Sequence, residues 1–234
     1  MVLMTWIKIC GTTNLDDAQA AVEAGADALG FVFAPSPRRV SPREAARIIA
    51  ALPPAVEKIG VFVNQSAELL LETVRTAGLT GVQLHGEEDG KFARQLRQKG
   101  AQLRIIKTVS MREAGEGSGK ALAIATQPEA GFDALLLDSG GNGKRGGTGA
   151  VFDWQQAAPM ARLLARKFRL IIAGGLRPDN VGKALRLFQP WGLDVVSGVE
   201  ETPGKKDRAK LQAFVAAVRA LDSADSPQKA ETRQ

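Results

Sequence analysis

One cysteine and one histidine stand among 234 residues, and each follows a short apolar run. Cys10 closes Ile7-Lys8-Ile9-Cys10 and is followed by Gly11; His85 follows Val82-Gln83-Leu84. A third such position is Asp138, which closes Ala134-Leu135-Leu136-Leu137. A thiolate at Cys10 can serve as general base or nucleophile if a neighbouring cation or dipole lowers its pKa; the plain alternative is a small buried hydrophobe. Asp138 is either a general acid or a helix cap or turn former, because a carboxylate ending four apolar residues is costly to bury unless paired or used. With one histidine and one cysteine, no internal disulfide and no His- or Cys-based metal cluster can form, so no metal site is expected. His85 is left with substrate contact or supporting hydrogen bonds.

Anion-binding chemistry is suggested elsewhere. Gly174-Gly175 and Ser197-Gly198 each follow an apolar run, and glycine lets backbone N–H groups approach phosphate oxygens closely. The alternative is two tight turns. Arg38 and Arg39 lie in the proline-stiffened loop Ala34-Pro35-Ser36-Pro37-Arg38-Arg39, where a guanidinium could grip a carboxylate bidentately or simply be solvated. The glycine-rich stretch Gly140–Gly149 contains a G-x-G-x-x-G match at Gly141, Gly143 and Gly146. It lacks the acidic partner about 20 residues on that a dinucleotide site requires, and Lys144-Arg145 departs from the P-loop pattern. It reads as a mobile lid whose two cations attract anions.

These residues share a position in a larger alternation. Apolar runs at Ile7–Cys10, Ala28–Phe33, Lys58–Val63, Gly81–Leu84, Arg104–Val109, Ala134–Asp138, Leu170–Ala173 and Leu193–Ser197 read as eight strands, several of them continuous as in parallel sheets covered on both faces. The gaps leave room for one helix per crossover. Asn14 is a plausible N-cap, with Leu15, Ala18 and Val22 on one face; Leu211, Phe214, Val215, Val218 and Leu221 form a second stripe. Eight β-α alternations in a chain of this length predict a single-domain α/β protein, a (β/α)8 TIM barrel over 1–221 followed by a polar, disordered tail over 222–234. In such a barrel, chemistry sits at the C-terminal ends of strands. That rule selects Cys10, the two arginines, Gln83, His85, Lys107, Asp138, Gly174-Gly175 and Ser197-Gly198.

Composition narrows the partners. There are 31 basic and 25 acidic side chains, a net charge of +6. The chain has no tyrosine and its aromatics are only 5%, so the stacking platforms of single-strand binders are missing and nucleic acid is not expected. The surplus suits a small anionic substrate. No apolar stretch is long enough for a membrane span, and the start lacks a secretory signal pattern, so cytoplasmic residence is expected.

In this order the segments resemble phosphoribosylanthranilate isomerase, a tryptophan-pathway family. The matching stretches include Lys8 to Asn14, Gly30-Phe31-Val32-Phe33, Arg38 to Pro42, Gly60 to Asn64, Gln83-Leu84-His85-Gly86-Glu87 and Leu136-Leu137-Asp138. Further on come Gly146-Gly147-Thr148-Gly149, Gly174-Gly175-Leu176, Ser197-Gly198-Val199-Glu200 and Pro203 to Asp207. Two positions depart: the family usually has an aromatic where Arg39 stands and a serine where Val196 stands.

The resemblance implies an Amadori rearrangement of N-(5'-phosphoribosyl)anthranilate to 1-(o-carboxyphenylamino)-1-deoxyribulose 5-phosphate. Asp138 would protonate the ribose ring oxygen, and Cys10 would remove the C2' proton. Arg38 would hold the anthranilate carboxylate. Backbone groups around Gly174, Gly175, Ser197 and Gly198 would hold the phosphate, with Gln83, His85 and Gly149 also at the substrate. No cofactor is implied. The acid needs a raised pKa and the base a lowered one; Lys8 or a helix N-terminus is expected to supply the latter. A monomer is favoured over a homodimer.

Rival readings are another phosphosugar barrel or a non-catalytic phosphate-ligand sensor. Indole-glycerol-phosphate synthase needs catalytic lysines at strand ends, where Lys107 is the obvious candidate. A histidine-pathway isomerase needs an aspartate where Cys10 stands.

Overall fold

The computed structural model describes residues 4–99, 102–110, 131–138 and 154–224. Eight parallel strands close into a ring: β1 (Trp6–Cys10), β2 (Ala28–Val32), β3 (Glu57–Phe62), β4 (Gly81–Leu84), β5 (Arg104–Ser110), β6 (Ala134–Asp138), β7 (Arg169–Ala173) and β8 (Gly192–Val195). β8 pairs back onto β1, with Lys8 opposite Asp194. The described helices are α1 (Leu15–Ala24), α2 (Pro42–Ile49), α3 (Ala67–Ala77), α4 (Gly90–Gln98), α5 (Trp154–Ala165), α6 (Val181–Phe188) and α7 (Arg208–Ala224). A 3-10 turn at Ser197–Val199 and a hairpin of β9 (Glu200–Thr202) and β10 (Lys205–Lys206) lie between β8 and α7. Among the described residues, no helix is long and apolar enough to cross a membrane.

Side chains alternate along each strand. One set, including Ile7, Ile9, Leu29, Phe31, Leu135 and Leu137, packs outward against the helices. The other, with Trp6, Ala28, Ile59, Ile106, Ala134, Leu136 and Ile171, fills the barrel. Period two therefore decides what faces the interior at the strand ends. Trp6 inward puts Lys8 and Cys10 inward, Leu136 does the same for Asp138, and Lys107 falls on the opposite parity from Ile106.

The first four helices begin where short polar side chains accept orphan N–H groups. Asn14 accepts from the Asp17 amide at 2.8 Å, and Ser41 and Glu44 form a reciprocal capping box with Pro42 in the first turn; such caps contribute about 1 kcal/mol each.

The N-terminal end of the barrel is plugged by aromatic stacking. Trp6 and Trp191 lie 5.0 Å apart between ring centroids, and the guanidinium groups of Arg104 and Arg169 sit over Trp191 at 5.4 and 5.2 Å.

Three expectations are corrected here. The last strand stops at Val195 rather than Ser197, because the chain turns across the barrel rim into the 3-10 turn. Leu15 is exposed, and α1 packs instead on Ala18, Ala20 and Ala21, whose small size suits close approach to the sheet. The polar segment from 222 opens inside α7: Asp222 is buried, accepting from the Thr5 hydroxyl at 2.6 Å and the Thr5 amide at 3.1 Å. It ties the helix end to the start of β1. Residues 225–234 of the expected tail lie outside the described residues.

Candidate active site

A cavity of about 240 Å³ opens at the C-terminal end of the barrel, with Cys10, Arg38, Gln83, His85, Asp138, Gly174, Gly175, Asp194 and Ser197 in its wall. The thiol of β1 and the carboxyl group of β6 thus share one chamber, three strands apart around the ring by way of β7 and β8. Room for the thiol comes from Gly30, its register partner on β2: a Cβ there would lie 2.5 Å from the Cys10 Sγ.

Beneath the cavity runs a buried polar chain. Lys8 Nζ donates to Asp194 Oδ1 at 2.8 Å and to Gln83 Oε1 at 2.9 Å. The Gln83 amide nitrogen then contacts Thr108 Oγ1 at 3.1 Å and His85 Nδ1 at 3.2 Å. His85 Nε2 stands 3.7 Å from Asp138 Oδ2. Lys8 is fully buried, which opposes its charge, yet Asp194 and then Cys10 outweigh burial and its pKa is raised. His85 is pushed down to about 4 by burial and then by Lys8, so the ring is neutral at pH 7.

Cys10 departs from expectation. Lys8 does favour the thiolate, as foreseen, but burial pushes the thiol up, Asp194 adds to it, and the net shift is upward. The resting side chain is a protonated thiol. The expected cation is present, but Asp194 engages it too.

Arg38 and Arg39 separate clearly. Arg38 is buried at the cavity wall and donates through Nε and Nη2 to the Glu200 carboxylate, at 2.8 and 2.6 Å. That hydrogen bond holds the guanidinium firmly charged. Burial would raise Glu200, but Arg38 and Lys206 more than offset it and lower its pKa. Lys206 completes the cluster, donating to Glu200 Oε1 at 3.0 Å and to the Cys10 carbonyl at 2.6 Å. Arg39 is exposed and away from the cavity. Burial pushes the Lys206 pKa down, a shift that Glu200 opposes.

Gly174 and Gly175 have φ of 87° and 65°, left-handed values that glycine adopts without strain, and both face the cavity. Ser197 lines it too. Gly198 stands outside the lining, where a Cβ would strike the Leu176 carbonyl oxygen at 1.8 Å; close backbone packing explains this glycine. Lys107 is turned away, donating to the Gly86 carbonyl at 2.6 Å and facing Glu88. Gly149 and the rest of Gly140–Gly149 lie outside the described residues, and among those described no cluster of three or more metal-ligating side chains occurs.

Asp194, Glu200 and Lys206 were missed as site residues. Asp194 left a usable signal, a lone charge interrupting Leu193-Asp194-Val195-Val196. Glu200 left none locally, since its partner Arg38 is 162 positions away.

The family model described as N-(5'-phosphoribosyl)anthranilate (PRA) isomerase matches residues 7–217. The chain belongs to this family. A PRA isomerase from Pelobacter propionicus is 44% identical over 213 residues, 91% of this chain and 94% of that protein. A Thermotoga maritima structure, of monomers generated from a dimeric PRA isomerase, superposes with a TM-score of 0.74 at 36% identity, covering 93% of this chain and all of the other. A PRA isomerase in complex with reduced 1-(o-carboxyphenylamino)-1-deoxyribulose 5-phosphate gives a TM-score of 0.75 at 38% identity, with the same coverage. PRA isomerase membership accords with a cysteine rather than an aspartate at the end of β1, the feature that argued against a histidine-pathway isomerase.

Proposed function

We propose that this PRA isomerase rearranges N-(5'-phosphoribosyl)anthranilate with Asp138 as general acid and Cys10 as general base. The observation that carries the assignment is the placement of both groups in the wall of one cavity, from strands three apart around the ring. Asp138 donates a proton to the ribose ring oxygen as the ring opens to a Schiff base. Cys10 then takes the C2' proton, and the resulting enolamine tautomerises to the ketone.

The buried, protonated thiol must ionise before it acts. The cationic Schiff-base nitrogen of the opened substrate would favour the thiolate, adding to Lys8 and Lys206. Arg38 suits the anthranilate carboxylate. Glu200 engages the edge formed by Nε and Nη2, and the edge formed by Nη1 and Nη2 can take a second carboxylate bidentately. The left-handed turn at Gly174-Gly175 and the start of the turn at Ser197 support backbone recognition of the phosphate. The same reading expects a cytoplasmic enzyme and favours a monomer over a homodimer, a choice that light scattering of the purified chain would decide.

The direct test is the loss of anthranilate-adduct fluorescence when the purified protein meets freshly made substrate. Rapid loss with the native chain and none beyond background with Asp138→Ala is the expected result; equal rates for the two overturn the acid assignment.

A further inference from the structure

We infer that Lys8, acting through Gln83, fixes which nitrogen of His85 carries the proton and so aims an N–H donor at Asp138. The assignment rests on donor and acceptor logic. An ammonium group has three donors and no acceptor, so the Gln83 atom 2.9 Å from Lys8 must be the carbonyl oxygen. The amide nitrogen is thereby turned the other way, onto Thr108 Oγ1 and His85 Nδ1. Because an amide nitrogen only donates, Nδ1 has to accept. A neutral imidazole that accepts at Nδ1 carries its proton on Nε2, the atom facing Asp138 Oδ2 at 3.7 Å. An imidazolium would set a second N–H against the amide donors.

The consequence is a donor held ready on the acid side of the cavity. At 3.7 Å it is longer than a hydrogen bond, as catalytic contacts often are before substrate binds. When Asp138 gives its proton away, the new carboxylate gains an N–H that can close on it. The Lys8 ammonium also favours the Cys10 thiolate. One buried ammonium therefore supports the base directly and the acid through two intervening side chains. Lys8, Gln83 and His85 are positioning residues in this scheme. The charged or titratable groups acting on the ring besides Asp138 are Lys8, Asp194, Lys107 and Glu88.

The inference deepens the proposed function and rests on it only where Asp138 is named as the acid. Its test uses the fact that the chain has one histidine. Full-length, substrate-free protein labelled with 15N-histidine yields a single pair of imidazole resonances. Over roughly pH 5.5 to 8, Nε2 is expected protonated and Nδ1 bare, with no titration step near the ordinary histidine value of about 6.5. A proton on Nδ1, or a ring that titrates in that range, overturns the inference. Gln83→Glu keeps the shape but cannot donate, so Nδ1 should gain a proton and kcat should fall about 10- to 100-fold, with KM changing less than about threefold. An unchanged tautomer with unchanged kcat overturns it.

His85→Gln, whose amide nitrogen can reach the Nε2 position, should retain about tenfold more kcat than His85→Asn, whose amide cannot; equal losses count against the donor role. If the tautomer is as expected but Asp138→Asn turns over normally, the acid assignment fails and the tautomer assignment stands.

Discussion

Glu200 engages one edge of the Arg38 guanidinium, through Nε at 2.8 Å and Nη2 at 2.6 Å, and so fixes Arg38 where it lines the cavity. Both side chains are buried, and Lys206 is a second cation on Glu200. Removing the carboxylate charge with Glu200→Gln would leave the buried Arg38 guanidinium without its partner. Unfolding in urea should then show a loss of about 3 kcal/mol or more, the scale for stripping one partner from a buried ion pair. A loss below about 1 kcal/mol would mean the cluster is hydrated.

Arg38→Ala removes the group assigned to the anthranilate carboxylate. KM should rise by about tenfold or more while kcat changes less, since the contact is made equally in ground and transition states. An unchanged KM would assign the carboxylate to another residue.

Cys10→Ala and Asp138→Asn should each lower kcat by about 10²- to 10⁴-fold, the usual range for a positioned general base or acid. Calorimetric affinity for the reduced product analogue should persist, because neither side chain is the assigned anion anchor. Loss of binding together with turnover would indicate a collapsed cavity.

The pH dependence has a definite sign. Cys10 is raised in the substrate-free enzyme, chiefly by burial. The active thiolate is therefore scarce at pH 7, and kcat/KM should climb with pH through the range where an ordinary thiol ionises, near 8.5, and beyond it. The cationic Schiff base lowers the thiol pKa in the complex, so the acid limb of kcat should lie at lower pH than that of kcat/KM. Coincident limbs would show that the substrate charge does not reach the thiol.

Gly30→Ala sets a methyl group 2.5 Å from the Cys10 sulfur. The sulfur must turn or the strands must part, and kcat should fall by about tenfold or more even if the barrel survives, as judged by circular dichroism.

Much of this was legible from the chain because a parallel barrel writes its rules locally. Apolar runs showed seven of the eight strands to within one residue at either end and the last to within two, and the rule of strand ends singled out Cys10 and Asp138 before any likeness was considered. Alternation along a strand also holds the answer for Lys107, which falls on the outward parity while Thr108 falls inward. What stayed hidden depends on distant pairing. Glu200 reaches Arg38 across 162 positions, and Asp222 reaches Thr5 across 217. No window of neighbouring residues can show either contact. The ionisation of Cys10 was misjudged for a related reason: Lys8 was visible beside it in sequence, but Asp194 approaches from β8.

The tryptophan pair at the opposite end of the barrel separates two kinds of evolutionary and engineering freedom. With Trp6 and Trp191 stacked beneath two guanidinium groups, that end is plugged among the described residues, while the cavity opens at the other. Substitutions among Glu57, Arg104, Arg169 and Trp191 can therefore harden or soften the molecule towards heat while the thiol, the carboxyl group and their cations keep their spacing. Durability and turnover become separately adjustable traits of one chain.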